Sequence, residues 1–181
     1  EGSCLVTRGN LNNHFGVPLM LLELESSHRS AVIEMGANHG GEIAHLASIA
    51  QPTVGLVTNA GAAHLEGFGS LDGVARGKGE MFSGLAGRGT AVINADDPYA
   101  PLWKELAGSS RALSFGIDAV ADVVARDVRL EAGPSGFRSS FDLVMPAGVR
   151  SVTLQLGGLH NVRNALGAAA VQVQGDRHGI A

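Results

Sequence analysis

The first half of the chain alternates short apolar runs with helical patterns, and this alternation restricts the fold more than any other feature. Three apolar runs predict buried strands, at residues 31–35, 53–58 and 90–94. Three segments carry apolar residues at helical spacing or a helix-start signal, at residues 42–50, 70–85 and from Asp97-Pro98 onward. Strands and helices that alternate in this way form a parallel sheet with helices on its faces. We therefore predict an α/β fold with a mostly parallel sheet flanked by helices.

The pattern changes near Arg111. Four segments there alternate or contain β-branched residues, at residues 111–115, 121–130, 136–145 and 150–156. Turn-forming Gly, Pro and Ser residues separate the last three of them. We predict an antiparallel β-meander in the C-terminal half, followed by an alanine-rich helix over residues 161–174.

Composition and charge exclude several classes of protein. The chain has 181 residues, which suits one domain, and its 17 acidic residues exceed its 13 lysines and arginines. That balance argues against a nucleic-acid partner. The single cysteine, Cys4, cannot form an internal disulfide, and no apolar run reaches membrane-spanning length. We expect a cytoplasmic protein, monomeric, without membrane insertion.

A glycine-rich phosphate loop is missing from the sequence. Doubly wound nucleotide-binding domains usually begin with a strand and such a loop, yet GxxxxGK[ST] does not occur here. Either the domain never had this loop or the loop precedes Glu1. Both ends of the chain read as cut from a longer protein, so we expect one domain over residues 1–181 with neighbouring domains absent.

Lys78 stands out in the predicted helix over residues 70–85. It falls within an apolar stripe made by Leu71, Val74, Ala75, Met81, Phe82 and Leu85. Burial would favour its neutral amine, which can react with carbon dioxide to give a carbamate, an oxygen ligand suited to Mg²⁺. The alternative is a lysine whose stem packs while its ammonium reaches water. Arg76 and Glu80 are spaced for an ordinary i,i+4 ion pair.

Polar residues also follow the predicted strands, where ligands of open parallel sheets bind. Glu34 is either a metal ligand or a solvent-facing acid at a strand end. His64 follows the next strand among small residues, and a loop histidine is either a ligand or an ordinary surface residue. After the third strand, Asp96 or Asp97 is expected to cap the following helix.

Two groups of asparagines offer further candidates. Asn161 and Asn164 share a helix face, and their amides suit either recognition of a base and ribose or simple helix capping. Asn10, Asn12 and Asn13 disfavour regular structure, which predicts a loop and, as a hypothesis, a loop that contacts substrate.

Taken together, five runs resemble the central domain of the Mur ligases, in that family's order and spacing: GNLNNHFGVP, VIEMGANHGGEI, NAGAAHLEGFGSLDGVARGKGEMFSGL, NADD and GLHNVRNAL. The match covers nearly the whole chain. The first and third runs are most similar to the branch that adds D-alanyl-D-alanine to a UDP-N-acetylmuramoyl tripeptide. The resemblance implies a nucleotide-binding sheet, ATP and Mg²⁺ as cofactors, and those two compounds as substrates.

The resemblance also implies roles for individual residues. Glu34, His64 and Lys78 match the positions that bind a magnesium ion, with Lys78 carbamylated and Lys78 and His64 in the catalytic site. Asn161, with His160 and Asn164, matches the motif beside the ATP base and ribose. The loop with Asn10, Asn12 and Asn13 would lie towards the acyl substrate.

The chain also departs from the family pattern. Many relatives have Pro-Gly-Arg-His-Asn where this chain has Gly157-Gly158-Leu159-His160-Asn161, which puts a charge contact there in doubt. Without the phosphate loop and a C-terminal domain, the isolated chain is expected to be inactive. Two other functions stay open: a different Mur ligase or a folylpolyglutamate synthetase-like ligase, and a non-catalytic nucleotide-binding module.

Overall fold

The computed structural model describes residues 3–62, 65–133 and 136–175. Its strands are β1 (Ser3–Val6), β2 (His28–Val32), β3 (Val54–Val57), β4 (Thr90–Asn94), β5 (Arg111–Gly116), β6 (Val123–Gly133), β7 (Gly136–Met145) and β8 (Gly148–Leu154). Its helices are α1 (Gly16–Leu21), α2 (Glu42–Ala50), α3 (Leu65–Phe68), α4 (Leu71–Gly84), α5 (Ala100–Ala107) and α6 (Leu159–Gly175).

The main sheet has six strands in the order β3-β4-β5-β6-β7-β8. Strands β3 to β6 pair in parallel, whereas β6-β7 and β7-β8 pair antiparallel. The predicted fold class is therefore confirmed: helices flank a mostly parallel sheet that continues into an antiparallel meander. The placement of residues 111–115 in the meander was wrong. A crossover through α5 returns the chain to the starting edge of β4, so β5 runs parallel to β4.

A second, two-stranded sheet consists of β1 and β2, paired in parallel with Leu5 opposite Ala31 and Val6 opposite Val32. The strand predicted over residues 31–35 instead spans His28–Val32, and its predicted burial was wrong, because Val32 is 58% exposed. In the described part of the chain, β2 pairs with β1 and no helix packs extensively against it, which is why Val32 stays exposed.

Two helix predictions agree closely with the structure. Helix α2 has the predicted bounds, and α4 begins after Ser70, whose hydroxyl accepts a hydrogen bond from the Gly73 amide at 3.0 Å. The predicted start of the next helix was wrong. The Asp97 carboxylate accepts from the Tyr99 amide at 2.9 Å, which closes a turn, and α5 begins only at Ala100.

The core fills both faces of the main sheet. On one face, α4 and α5 pack around the fully buried Phe82 and Trp103, and the Trp103 indole donates to the Ala75 carbonyl at 2.9 Å. On the other face, α6 contributes Val162 and Leu166 to a cluster that includes Phe115. Within the described part of the chain, no helix is long and apolar enough to cross a membrane.

Candidate functional site

The carboxyl ends of β3 and β4 form one edge of the main sheet and are joined by a buried asparagine. Asn94, the last residue of β4, is 3% exposed, and its amide donates to the Thr58 carbonyl at 2.8 Å. Asp96 and Asp97 follow Asn94 after one intervening residue and lie at the same edge of the sheet. This edge is where ligands of open parallel sheets bind.

Lys78 reaches this edge from the middle of α4. Its ammonium donates to the Asn59 carbonyl, just beyond β3, at 2.8 Å. The side chain is half-buried, and burial lowers the Lys78 pKa below its ordinary value, although the nearby Asp97 carboxylate acts in the opposite direction. Lys78 therefore combines a packed stem with a partly desolvated amine, which keeps both sequence interpretations of this residue open.

Glycines on either side of Lys78 let α4 approach its neighbours closely. A Cβ on Gly77 would lie 2.3 Å from Cε1 of Phe68, and one on Gly79 would lie 2.5 Å from Cδ1 of Leu106. Glycine is a poor helix former, so tight packing is the physical reason for these residues inside a helix. The packing fixes the direction in which Lys78 leaves the helix.

Glu34 lies two residues beyond β2 and is exposed. Its backbone amide donates to the Thr7 hydroxyl at 2.8 Å, and its Oε1 accepts from the Asn12 side-chain amide at 2.7 Å. The fold thus brings together a candidate metal ligand and a residue of the asparagine loop, two features that the sequence treated separately. Within the described residues, Oε2 of Glu34 makes no hydrogen bond.

The asparagine loop and most of residues 36–42 line a cleft of about 660 Å³. The prediction of a loop at Asn10, Asn12 and Asn13 is confirmed. Asn13 has a local structural role, because its side-chain oxygen accepts from the Gly16 amide at 2.9 Å at the start of α1. Asn12 instead faces Glu34.

The segment of residues 36–41 beside this cleft is held by two glutamates. Glu42 accepts from the Asn38 and His39 amides at 2.7 and 3.2 Å, and these bonds lower the Glu42 pKa. Glu80 accepts from the Gly41 amide at 2.6 Å. The sequence interpretation assigned Glu80 to a pair with Arg76 and did not consider Glu42, although an acid at the first position of a helix, as Glu42 is, is favoured by the helix dipole.

The predicted Arg76–Glu80 pair was wrong. Arg76 instead pairs with Asp72, one turn earlier on α4, at 2.8 Å. The i,i+4 rule allowed both partners, and the packing of α2 beside α4 decided between them by bringing helix amides close to Glu80.

Asp96 and Asp97 do not cap α5 directly. The Asp96 carboxylate accepts from the amides of residues 117–119 at 2.8–3.0 Å and from Arg163 at 3.0 Å. Burial opposes its ionisation, but these hydrogen bonds outweigh burial and lower the Asp96 pKa. Asp97 accepts from the Ala60 amide at 2.9 Å, which links the ends of β4 and β3.

The second asparagine group lies at the start of α6. Asn161 donates its side-chain amide to the Gly157 carbonyl at 2.7 Å. This contact is local but is not the expected helix cap, because Asn161 lies inside α6 and its side chain donates to a carbonyl. His160 and Asn164 are exposed, and Asn164 lies one turn further along the helix. Gly158 has φ +102°, where a residue with a side chain would be strained.

His64 lies outside the described residues. Among the residues that are described, no three His, Cys, Asp or Glu side chains lie close enough together to hold a metal ion. The structure therefore brings Glu34 together with Asn12, and Lys78 together with Asn59 and Asp97, as two separate groups.

Comparison with known proteins identifies the relatives of this chain. Residues 1–172 match the Mur ligase middle domain family. The chain is 46% identical over 173 residues to the UDP-N-acetylmuramoyl-tripeptide--D-alanyl-D-alanine ligase of Escherichia coli K12, covering 95% of this chain and 37% of that protein. The corresponding protein of Mycobacterium tuberculosis H37Rv is 36% identical, with 96% of this chain and 33% of the relative covered.

Solved structures of proteins from the same family also match the fold of this chain. A crystal structure of MurF from Acinetobacter baumannii matches with a TM-score of 0.89 and 41% identity, covering 95% of this chain and 37% of that one. MurF ligase from Thermotoga maritima, solved in complex with ADP, matches with a TM-score of 0.79 and 30% identity, covering 97% and 40%. The chain spans between 33% and 40% of the length of these relatives. Since the family match extends over nearly the whole chain, this protein belongs to the Mur ligase middle domain family.

Proposed function

We propose that this chain is the ATP-handling domain of a ligase that joins D-alanyl-D-alanine to a UDP-N-acetylmuramoyl tripeptide. The observation that carries the proposal is the position of Lys78, a half-buried amine at the carboxyl edge of a parallel sheet. Relatives named for this reaction are similar along 95% of the chain, and one solved relative contains ADP. In this reaction the γ-phosphate of ATP passes to the tripeptide carboxylate, and the incoming amine displaces phosphate from the acyl phosphate to form the amide.

The residues present are compatible with magnesium under one condition. An ammonium cannot coordinate a cation, so Lys78 could serve only after its amine has formed a carbamate, whose oxygens suit a hard divalent ion. Glu34 has one carboxylate oxygen without a hydrogen bond among the described residues, and Asn12 orients the other. With His64, these groups would supply three ligands and leave the remaining positions to water or phosphate oxygens. When bound, Mg²⁺ neutralises charge on phosphoryl oxygens.

The chain's own residues have distinct proposed tasks. Asn12 orients the Glu34 carboxylate, and Asn59 holds the Lys78 amine at the sheet edge. Asn161, His160 and Asn164 lie at the start of α6, where a nucleotide base and ribose would contact their polar groups. The cleft beside Asn10, Asn12 and Asn13 would take the acyl substrate.

The rest of the protein is also part of the proposal. A phosphate loop preceding residue 1 would hold the β- and γ-phosphates, and further domains would supply the remaining substrate contacts. We propose a monomeric, cytoplasmic enzyme and an isolated chain that does not catalyse ligation.

The test is phosphate release by the full-length protein with ATP, Mg²⁺, a UDP-N-acetylmuramoyl tripeptide and D-alanyl-D-alanine. We expect release to require both substrates and Lys78→Ala to lower it by about 100-fold or more, as loss of a charge-stabilising group in an active site does. Short carboxylic acids should restore part of the activity. The matched control is Lys104→Ala, the chain's other lysine, which is exposed on α5. Equal activity of wild type and Lys78→Ala would refute the proposed role of Lys78, and release with a different acid and amine would assign the protein to a sister ligase.

A further inference from the structure

Glu80 joins the helix that carries Lys78 to the loop that follows Glu34. Its Oε1 accepts from the Gly41 amide at 2.6 Å and its Oε2 from the Ala44 amide at 3.0 Å. Both donors belong to the start of α2, where backbone amides have no partner within the helix. A single carboxylate on α4 therefore satisfies two such amides on another helix.

Among the described residues, no neighbour in sequence accepts hydrogen bonds from the Gly41 and Ala44 amides in place of Glu80. The N-cap of α2 is Gly41, which has φ 88° and no side chain to accept a hydrogen bond. The carboxylate also places negative charge at the positive end of the α2 dipole. Removing it would leave the Gly41 and Ala44 amides without their acceptor and would free the start of α2 to move away from α4.

Lys78 and Glu80 leave α4 in different directions. Two residues correspond to about 200° of rotation around a helix. Lys78 accordingly reaches the Asn59 carbonyl beyond β3, while Glu80 reaches the start of α2. The two contacts therefore lie on different sides of α4. The close packing of Gly77 against Phe68 and of Gly79 against Leu106 restricts movement of the helix between them.

The loop that Glu80 restrains is itself packed tightly. Residues 36–41 line the cleft, and Glu34 lies just before them. A Cβ on Gly67 would lie 2.0 Å from the Asn38 carbonyl oxygen, so α3, the short helix before α4, contacts this loop directly. Glu42 holds the middle of the loop through the Asn38 and His39 amides. Glu80 holds its C-terminal end through the Gly41 amide.

We propose that Glu80 is a positioning residue that sets the separation between Glu34 and Lys78 by tying the start of α2 to α4. This rests on the proposed function, because the separation matters only if both residues serve one magnesium site. Glu80 touches neither metal nor substrate in this proposal. It acts through the loop of residues 36–41.

The test compares full-length wild type with Glu80→Ala, Glu80→Gln and the matched control Asp72→Ala, an exposed acid on the first turn of the same helix. We would measure the Mg²⁺ concentration that gives half-maximal phosphate release, binding of Mg²⁺-ADP by calorimetry, and hydrogen exchange of the amides in residues 38–44. We expect Glu80→Ala to raise the half-maximal Mg²⁺ concentration about tenfold, in the range found when groups supporting a metal ligand are removed. Exchange at Gly41 and Ala44 should accelerate, and Asp72→Ala should match wild type in all three measurements.

Glu80→Gln distinguishes positioning from simple stabilisation. Its amide keeps one acceptor oxygen, so we expect Mg²⁺ dependence between those of wild type and Glu80→Ala. A folded Glu80→Ala or Glu80→Gln with faster exchange but unchanged Mg²⁺ dependence and Mg²⁺-ADP binding would overturn the proposal and leave Glu80 as a helix cap only. If Glu80→Ala does not fold, Glu80→Gln decides by the same criterion. If wild type releases no phosphate with any acid and amine, the proposed function fails separately, and Mg²⁺-ADP binding together with exchange still tests Glu80.

Discussion

The tripeptide Ala-Val-Ile occurs twice in this chain, at residues 31–33 and 91–93, with opposite outcomes. In β4, Val92 is fully buried and Ile93 is 4% exposed, whereas Val32 in β2 is 58% exposed. The difference comes from the layers around each strand. Helices cover both faces of β4, whereas no helix packs extensively against β2 in the described part of the chain. The same tripeptide therefore contributes Ala and Val to a strand in both places, with Ile33 just beyond the end of β2, but its burial differs.

The acids that follow the two tripeptides differ in the same way. Asp96 is satisfied by three backbone amides and Arg163. Glu34 is exposed and, among the described residues, its carboxylate accepts one hydrogen bond, from Asn12. A carboxylate that is fully bonded by the protein stabilises the fold, and one with a free oxygen at the edge of a cleft is available to a ligand. The comparison separates a structural acid from a candidate binding acid.

The largest expected effect comes from placing a charge in each tripeptide. Val92→Asp should lower the free energy of unfolding by about 3–5 kcal/mol, since an unpaired charge in the core has no compensation. Val32→Asp should change it by at most about 0.5 kcal/mol, as is usual at exposed positions. Urea denaturation of the 181-residue chain would measure both. If both variants of the 181-residue chain lost the same amount of unfolding free energy, the comparison would be contradicted. If Val32→Asp destabilised only the full-length protein as much as Val92→Asp does, another segment of that protein would cover β2.

The next effect distinguishes the two acids. Asp96→Asn should lower the free energy of unfolding at neutral pH by about 1–3 kcal/mol, because amides that now donate to a carboxylate lose an acceptor. Glu34→Gln should change it by no more than about 0.5 kcal/mol. Urea denaturation at pH 7 measures both, and a larger loss for Glu34→Gln would reverse the assignment.

The stability of the protein at acid pH gives a second test of the structural role of Asp96. Its pKa is lower in the folded protein than its ordinary value, so its contribution to stability is present above the ordinary pKa and declines as pH falls through the folded pKa. Asp96→Asn should therefore show a weaker loss of stability below about pH 4 than wild type. Parallel acid profiles for the two proteins would contradict this account.

The smallest effect tests the close packing of α4. Gly79→Ala introduces a Cβ 2.5 Å from Cδ1 of Leu106 and 2.9 Å from Cδ1 of the buried Trp103. Overpacking costs about 1–3 kcal/mol, and better helix propensity returns about 1 kcal/mol, so we expect a net loss of about 1 kcal/mol in thermal or urea unfolding. Gly133→Ala, where no atom lies within 4 Å, is the control. A more stable Gly79→Ala would show that α4 can shift without cost.

Local signals predicted α2, α4 and β4 within a residue because each has its own start or stop signal and a clear apolar face. The orientation of β5 was not predictable in the same way, since its alternating pattern suits either direction and the α5 crossover decides. Among site residues, Lys78 was identifiable from its place in an apolar stripe. Glu80 was not, because its partners lie 36 and 39 residues away in sequence.

The sequence by itself predicted the α/β class and most elements of the main sheet and its helices, because periodicity and capping are local properties of the chain, although it did not predict β1, α1 or α3. Its motifs indicated the family and named Glu34, His64, Lys78 and Asn161 as candidates. Only the tertiary structure decided which Ala-Val-Ile strand is buried, that Asn12 meets Glu34, that Lys78 meets Asn59, and that Glu80 bonds to α2 rather than Arg76. These contacts join residues distant in sequence. They depend on how layers stack and on which unpaired backbone groups come within reach, and local sequence does not encode either.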